Sequence, residues 1–362
     1  MQKIIEGIDK LQTILNSIGS RKLFMVIDSS YPFLNIRESI DSTSQQKVTF
    51  SDFKPNPLFE DVCKGIDLYV KEKCDSILAV GGGSSIDVAK CIKLAVLAKE
   101  GREGLIPPLV SKTLVIDGSH IPFIAVPTTA GTGSESTHNA VMYYQGAKQT
   151  VTNDGILPDY ALLEPGVLST LPLYQKKCTM MDALCQGIES WWSVNATDES
   201  RLYSRKAIEL VISNWESYIF HNTPDSASGI MLAANYSGRA INLAQTTAAH
   251  AMSYKITSLY GLPHGHAVAV CLPHIWDYML ETKPGLPVFH DISKAMGFES
   301  CNDAVSAFRD MMERMELKNP VAGDRQSELD ILSKSVNPVR LKNNPVYIDE
   351  AIAWRLYDKI VL

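Results

Sequence analysis

Two groups of residues in this 362-residue chain are of types that could do chemistry. In the second half, Asp182 and Gln186 stand four positions apart in MMDALCQGIESWW, so on a helix their side chains share one face. His250 follows in TTAAHAMSYKI and His264 in GLPHGHAVAV. One carboxylate and two imidazoles that converge can hold a divalent metal and leave a position open for a substrate oxygen. Taken singly, each histidine reads equally as a packed or surface residue. His266 is either a titratable group beside such a metal or a helix-start residue facing solvent.

The first half carries a different chemistry. Gly81-Gly82-Gly83-Ser84-Ser85-Ile86-Asp87 follows an apolar run and opens a helical one. Glycines let the backbone approach a pyrophosphate, and the free N–H groups of a helix start face its charge. The spacing is not GxGxxG, so the common dinucleotide motif is absent, and a tight turn without ligand is the alternative. A second small-residue loop, Pro127-Thr128-Thr129-Ala130-Gly131-Thr132-Gly133-Ser134-Glu135, also follows an apolar run. It reads either as a second wall of a ligand crevice or as a loop capping the next helix through Ser134 or Thr137.

The elements that must position these groups differ between the halves. Lys22 to Asp28, Ser76 to Val80 and Ile121 to Val126 read as buried strands, the first after an amphipathic N-terminal helix. Asp87 to Lys99 reads as a helix packed on the resulting sheet. Strand, glycine-rich turn and helix in that order predict a parallel α/β sheet. Beyond about Leu168, the stretches Gln175 to Ser193, Glu199 to Ile219 and Ile230 to Leu259 repeat apolar residues at helical spacing, which predicts an all-helical second half. Leu157 to Pro165 (LPDYALLEP) reads as the hinge, dividing a domain 1–165 from a domain 166–362. A hinge between two domains makes a cleft suited to a cofactor and a substrate.

Bulk properties narrow the classes. Hydrophobic content of 45% and charged content of 20% are those of an ordinary globular protein. A net charge of −6 with no basic block argues against a nucleic-acid partner. No apolar run is long enough for a membrane helix. The seven cysteines are scattered and lack a CxxC pair, which points to a reducing compartment, the cytoplasm.

Taken together, GGGSSIDVAK, PTTAGTGSE, the MDAL segment, the H-A-M segment and PHGHAVA resemble, in order and separation, the iron-containing (metal-dependent) alcohol dehydrogenase family. LPDYALLEP and Asn344-Pro345 extend the resemblance over essentially the whole chain. It implies an α/β N-terminal dinucleotide-binding domain with a parallel sheet and an all-α C-terminal domain, a fold shared with dehydroquinate synthase-like proteins. The implied metal ligands are Asp182, Gln186, His250 and His264, with Fe2+ or Zn2+ as the metal. Gln186 departs from the pattern, because the family usually has histidine there and an amide oxygen is a weaker, harder donor. The implied cofactor is NAD, with NADP as the alternative. Its contacts fall on Gly82, Gly83, Ser84 and Asp87, on Thr128, Thr129 and Thr137, and on Asn56 and Lys148. Asp28 stands where family members that prefer NAD carry an acid. Tyr254 is a second departure, at a position where many members place a proton-relaying histidine. Tyr254 and His266 are thus the two candidate proton carriers.

The resemblance implies hydride transfer between nicotinamide C4 and a carbonyl carbon of a small aldehyde or alcohol, in a homodimer. AAHAMSYKITSLYGLPHGHAVAV is most similar to the branch that reduces phosphonoacetaldehyde to 2-hydroxyethylphosphonate, with Arg239, Lys255 and His266 as groups that could meet a phosphonate. Two alternatives stay open at this point. One is a polyol dehydrogenase or cyclase of the same superfamily, the other a nucleotide-binding relative that has lost its metal at Gln186.

Overall fold

The continuous apolar runs of the first half become strands buried on both faces, as a parallel sheet covered by helices requires. The computed structural model describes residues 2–106, 116 and 120–362, which divide into two compact units, Met1–Leu171 and Pro172–Leu362. The first unit runs β1 (Lys3–Glu6), α1 (Leu11–Ser17), β2 (Lys22–Ile27), α2 (Arg37–Asp41), β3 (Gln46–Phe50), α3 (Phe59–Glu72), β4 (Ser76–Gly81), α4 (Gly83–Leu97), β5 (Phe123–Pro127), β6 (Asn139–Tyr144), β7 (Ala147–Thr152) and β8 (Tyr160–Leu163). Six strands form one sheet in the order β1-β8-β5-β4-β2-β3, and every pairing in it is parallel. Strands β6 and β7 pair antiparallel as a separate hairpin. Phe24, Val26, Ile77, Ala79, Phe123 and Ala125 supply a core against which Ile86 and Ile92 of α4 pack.

From β2 the chain first pairs β3 on one side and then β4 on the other. This reversal lies at the carboxyl ends of β2 and β4, where open α/β sheets bind ligands. Asp28 and Gly81 are therefore brought together by topology, with Ile27 and Val80 in register just before them.

The second unit is helical: α5 (Leu173–Trp192), α6 (Asp198–Glu216), α7 (Pro224–Ala244), α8 (Ala248–Tyr260), α9 (His264–Thr282), α10 (Pro287–Ala295), α11 (Cys301–Arg314), α12 (Arg325–Ser335), α13 (Pro338–Leu341) and α14 (Glu350–Ile360). Helix α5 is buried along nearly all of its last three turns, which makes it the unit's central helix. Among the described residues no helix is long and apolar enough to cross a membrane.

Four local expectations are corrected. The N-terminus opens with strand β1, because Lys3–Glu6 finds an edge position beside β8; the helix begins only at Leu11. The LPDYALLEP segment, read as a connection, contains a strand: Tyr160–Leu163 lies in the sheet between β1 and β5, and the two compact units divide after Leu171. Helix α4 starts at Gly83 rather than Asp87, so the glycine turn is itself the helix start. The apolar repeat from Ile230 to Leu259 is broken into α7 and α8, because Gln245 takes a positive φ of 61°. Asn343 holds that break by donating to Gln245 Oε1 and to the Thr246 carbonyl, both at 3.1 Å.

Candidate functional site

In the first unit the two small-residue loops meet. A Cβ on Gly83 would lie 3.0 Å from the Thr132 side chain, and one on Gly82 would lie 3.4 Å from Thr129 Oγ1. At Gly81 a Cβ would come within 2.2 Å of Ser85 Oγ and 2.6 Å of Asp28 Oδ2, so only glycine admits this approach. Asp28 Oδ1 accepts from the Ser30 N–H at 2.9 Å, and Oδ2 accepts from Ser85 Oγ at 3.1 Å. The Asn56 N–H reaches Ser84 Oγ at 3.4 Å. Thr128 is buried, its N–H donating to the Gly81 carbonyl at 3.0 Å. Helix α4 has no side-chain cap, leaving its first N–H groups directed at this mouth. The structure thus gathers Asp28, Asn56, Gly82, Gly83, Ser84, Thr128 and Thr129.

Asp87, half-buried, and Thr137, buried, are hydrogen-bonded to the protein itself. Asp87 accepts from Ser134 Oγ at 2.7 Å and from the Val141 N–H at 3.1 Å; burial pushes its carboxyl up, opposed by Lys90, by those two hydrogen bonds and by Lys148. Lys90 was not foreseen. It is wholly buried, and its Nζ donates to the Ser134 carbonyl (2.6 Å), Ser134 Oγ (3.0 Å), Thr137 Oγ1 (2.9 Å) and the Asn139 carbonyl (2.7 Å). Burial pulls its ammonium down to about 8. A lysine three residues after Asp87, set among apolar neighbours in IDVAKCI, was the available signal. This network lashes the second loop to α4.

In the second unit, α5 presents Asp182, Gln186 and Glu189 on one face. His250 sits in the first turn of α8, and His264 begins α9. The Nε2 atoms of His250 and His264 lie 3.4 and 3.9 Å from Asp182 Oδ1, and the three candidate donor atoms are all within 4.8 Å of one another. Metal bonds of about 2.1 Å at the tetrahedral angle put donor atoms roughly 3.4 Å apart, so these separations suit a shared cation. Asp182 Oδ1 and His250 Nε2 are buried and lack hydrogen-bond partners, an arrangement costly without a ligand. Burial pushes the Asp182 carboxyl up, but His264, His250 and the Gln186 amide outweigh it and hold it below the ordinary value. His250 resists charging by burial, yet Glu189 and Asp182 raise it to about 10.

Close approach of α9 to α5 makes this convergence. A Cβ on Gly265 would sit 1.9 Å from the Cys178 carbonyl oxygen and 2.8 Å from Asp182 Cβ. Tyr254 stacks on the His264 ring, with centroids 5.9 Å apart and planes 17° from parallel. The Gln186 oxygen accepts from Ser237 Oγ at 2.9 Å while its amide hydrogen-bonds Asp182. His266 is buried between two partners: its Nε2 donates to the Lys318 carbonyl at 2.9 Å, so its Nδ1 accepts from Tyr174 Oη at 2.8 Å. Arg239 stacks on the Tyr203 ring at 3.9 Å and donates to Tyr203 Oη, which commits it away from the role of a phosphonate partner. Lys255 is half-buried on α8.

Comparison with known proteins bears on both units. The family model "Iron-containing alcohol dehydrogenase" matches residues 2–165, and "Fe-containing alcohol dehydrogenase family, C-terminal" matches residues 177–352. The 1,3-propanediol dehydrogenase of Klebsiella pneumoniae is 31% identical over 296 residues, covering 77% of this chain and 73% of that protein. The phosphonoacetaldehyde reductase of Streptomyces viridochromogenes is 35% identical over 219 residues, covering 57% and 53%. The crystal structure of sulfoacetaldehyde reductase from Bifidobacterium kashiwanohense in complex with NAD+ superposes with a TM-score of 0.90 at 25% identity, covering 99% of this chain and 96% of that one.

Proposed function

Since the chain belongs to the iron-containing alcohol dehydrogenase family, we propose that it transfers hydride between a nicotinamide dinucleotide and a small aldehyde or alcohol, with a divalent metal held by Asp182, His250 and His264. The observation that carries this reading is a pair of buried atoms, Asp182 Oδ1 and His250 Nε2, that lie 3.4 Å apart without a hydrogen bond, with His264 Nε2 3.9 Å from the same oxygen. When bound, Fe2+ or Zn2+ supplies Lewis acidity toward the substrate oxygen. Gln186 serves as a support for Asp182, because its oxygen is given to Ser237 and its amide to the carboxylate.

The remaining roles fall to the chain's own groups. Gly82, Gly83 and Ser84 receive the pyrophosphate at the start of α4, beside Thr128, Thr129 and Asn56. Asp87 and Thr137, braced by Lys90, hold the second loop in place, with Lys148 adding a smaller favourable charge beside Asp87. The dinucleotide is NAD: Asp28, oriented by Ser30 and Ser85, can accept from the ribose hydroxyls and repels a 2′-phosphate. Tyr254 Oη delivers the proton that completes the alcohol, because its ring lies on His264, whereas both nitrogens of His266 are spent on bracing α9. Two of the relatives are named for phosphonoacetaldehyde and sulfoacetaldehyde, so aldehydes bearing a phosphonate or sulfonate are the first substrates to test. With Arg239 committed to Tyr203, Lys255 is the cation on α8 left for such a group. The free state of all seven cysteines supports a cytoplasmic location.

The test is an aldehyde panel led by phosphonoacetaldehyde, run with NADH and NADPH, with and without Fe2+ or Zn2+. NADH should be oxidised faster than NADPH, and only by metal-loaded enzyme. His250→Ala and His264→Ala should lose bound metal and turnover while NADH binding persists. Full turnover by both variants in metal-free buffer would remove the assignment.

A further inference from the structure

Glu189 belongs to no expected ligand set, yet it is wholly buried. It stands seven residues after Asp182 on α5, about two helical turns on, so both carboxylates lie on one face. One oxygen, Oε1, accepts from the backbone N–H groups of Thr247 (3.0 Å), Ala249 (3.0 Å) and His250 (3.3 Å), and from Thr247 Oγ1 (2.8 Å). The other, Oε2, faces His250 Nδ1 in a short hydrogen bond. Thr247 precedes α8 but makes no side-chain cap bond to it, its hydroxyl being turned to Glu189 while accepting from Trp192 Nε1 at 2.8 Å. The start of α8 is therefore capped by a carboxylate from another helix, where negative charge is favoured.

The bond to Nδ1 has a consequence for the opposite side of the ring. A carboxylate at Nδ1 keeps a proton on that nitrogen, which leaves Nε2 as the atom whose lone pair can be given to a metal. That nitrogen is the unpartnered one beside Asp182 Oδ1. We infer that Glu189 is a positioning residue of the metal centre: it orients the His250 ring, fixes its tautomer and thereby sets metal affinity, over and above capping α8. The inference rests on the metal reading proposed above, and it follows the general rule that ligating imidazoles are held by a carboxylate on their other nitrogen.

Glu189→Gln separates orientation from capping. The glutamine keeps an oxygen for the α8 N–H groups but puts an NH2 against Nδ1, which forces Nδ1 to accept and moves the ring proton to Nε2. Co2+ binding to the metal-free full-length protein, followed by calorimetry and by the visible absorption of bound Co2+, is the readout. Affinity should fall by about 10- to 100-fold and the absorption band should change, while circular dichroism and NADH affinity stay at wild-type values. Glu189→Asp, which keeps the charge but withdraws it from Nδ1, should weaken Co2+ as well and serves if the glutamine variant does not fold. Wild-type Co2+ affinity and spectrum in a folded variant would overturn the inference. His250→Ala distinguishes the two levels. If it binds Co2+ as tightly as wild type, the metal reading itself fails. If it loses Co2+ while Glu189→Gln does not, only the role of Glu189 falls.

Discussion

Gly265→Ala tests whether the metal centre depends on how closely α9 approaches α5. The added Cβ would lie 1.9 Å from the Cys178 carbonyl oxygen, against a comfortable non-bonded separation of about 3.5 Å. The obstacle is backbone inside a buried helix and cannot swing aside, so α9 must retreat by roughly 1.5 Å. Overpacking of this kind costs about 1–3 kcal/mol, and contact with helix backbone argues for the upper end, about 3 kcal/mol. His264 is the neighbouring residue, and ligand distances tolerate only about ±0.2 Å, so the retreat removes His264 from the donor set. Metal affinity should then fall by more than about 100-fold, beyond the loss typical of a supporting residue. Urea unfolding measures the first effect and Co2+ calorimetry the second. Gly285→Ala is the control, because a Cβ there meets nothing within 4 Å, and it should stay within about 0.5 kcal/mol of wild type. If Gly265→Ala matches that control in stability and binds Co2+ like wild type, the packing argument is wrong.

The supporting role of Gln186 predicts a graded result: Gln186→Ala should weaken Co2+ by about 10- to 100-fold, less than His264→Ala does. Equal losses in the two variants would make Gln186 a ligand. For Lys90 the sign follows from burial, which lowers its pKa from 10.5 to about 8. Between those values the unfolded chain holds a proton that the folded chain has released, so this residue's contribution to stability rises with pH across that window. The full shift corresponds to about 3 kcal/mol. Urea unfolding of wild type and Lys90→Met at pH 7.5 and pH 10 should show the difference moving in favour of wild type at the higher pH, and a pH-independent difference would contradict it.

Several features were readable before any coordinates because they are written in consecutive residues. The apolar runs before Gly81 and Pro127 announce buried strands, and the glycines after the first announce a turn that only small residues permit. The four-residue spacing of Asp182 and Gln186 announces one helix face. Dihedral preference and hydrophobic periodicity act over a single turn or strand, so they survive in the sequence alone. The same locality explains the errors at Lys3–Glu6 and Tyr160–Leu163: each is a four-residue stretch whose identity as a strand depends on distant partners, β8 for the first and β1 and β5 for the second.

What side chains do once they converge was decided elsewhere. Gln186 looked like a ligand by position, and its commitment to Ser237 comes from a helix 51 residues away. His266 reads as a proton carrier from its neighbours in sequence, and the hydrogen bonds of its two nitrogens to Tyr174 and Lys318 come from 92 and 52 residues away. Glu189 drew no notice, because a lone glutamate in a helix is ordinarily solvated; its meaning lies in α8, 58 to 61 residues on. The motifs written in consecutive residues, through the family they resemble, pointed to the reaction class that the family models support. Only the packing of α5, α8 and α9 decided which of these side chains meet, because partner choice depends on distances between helices that no local pattern encodes.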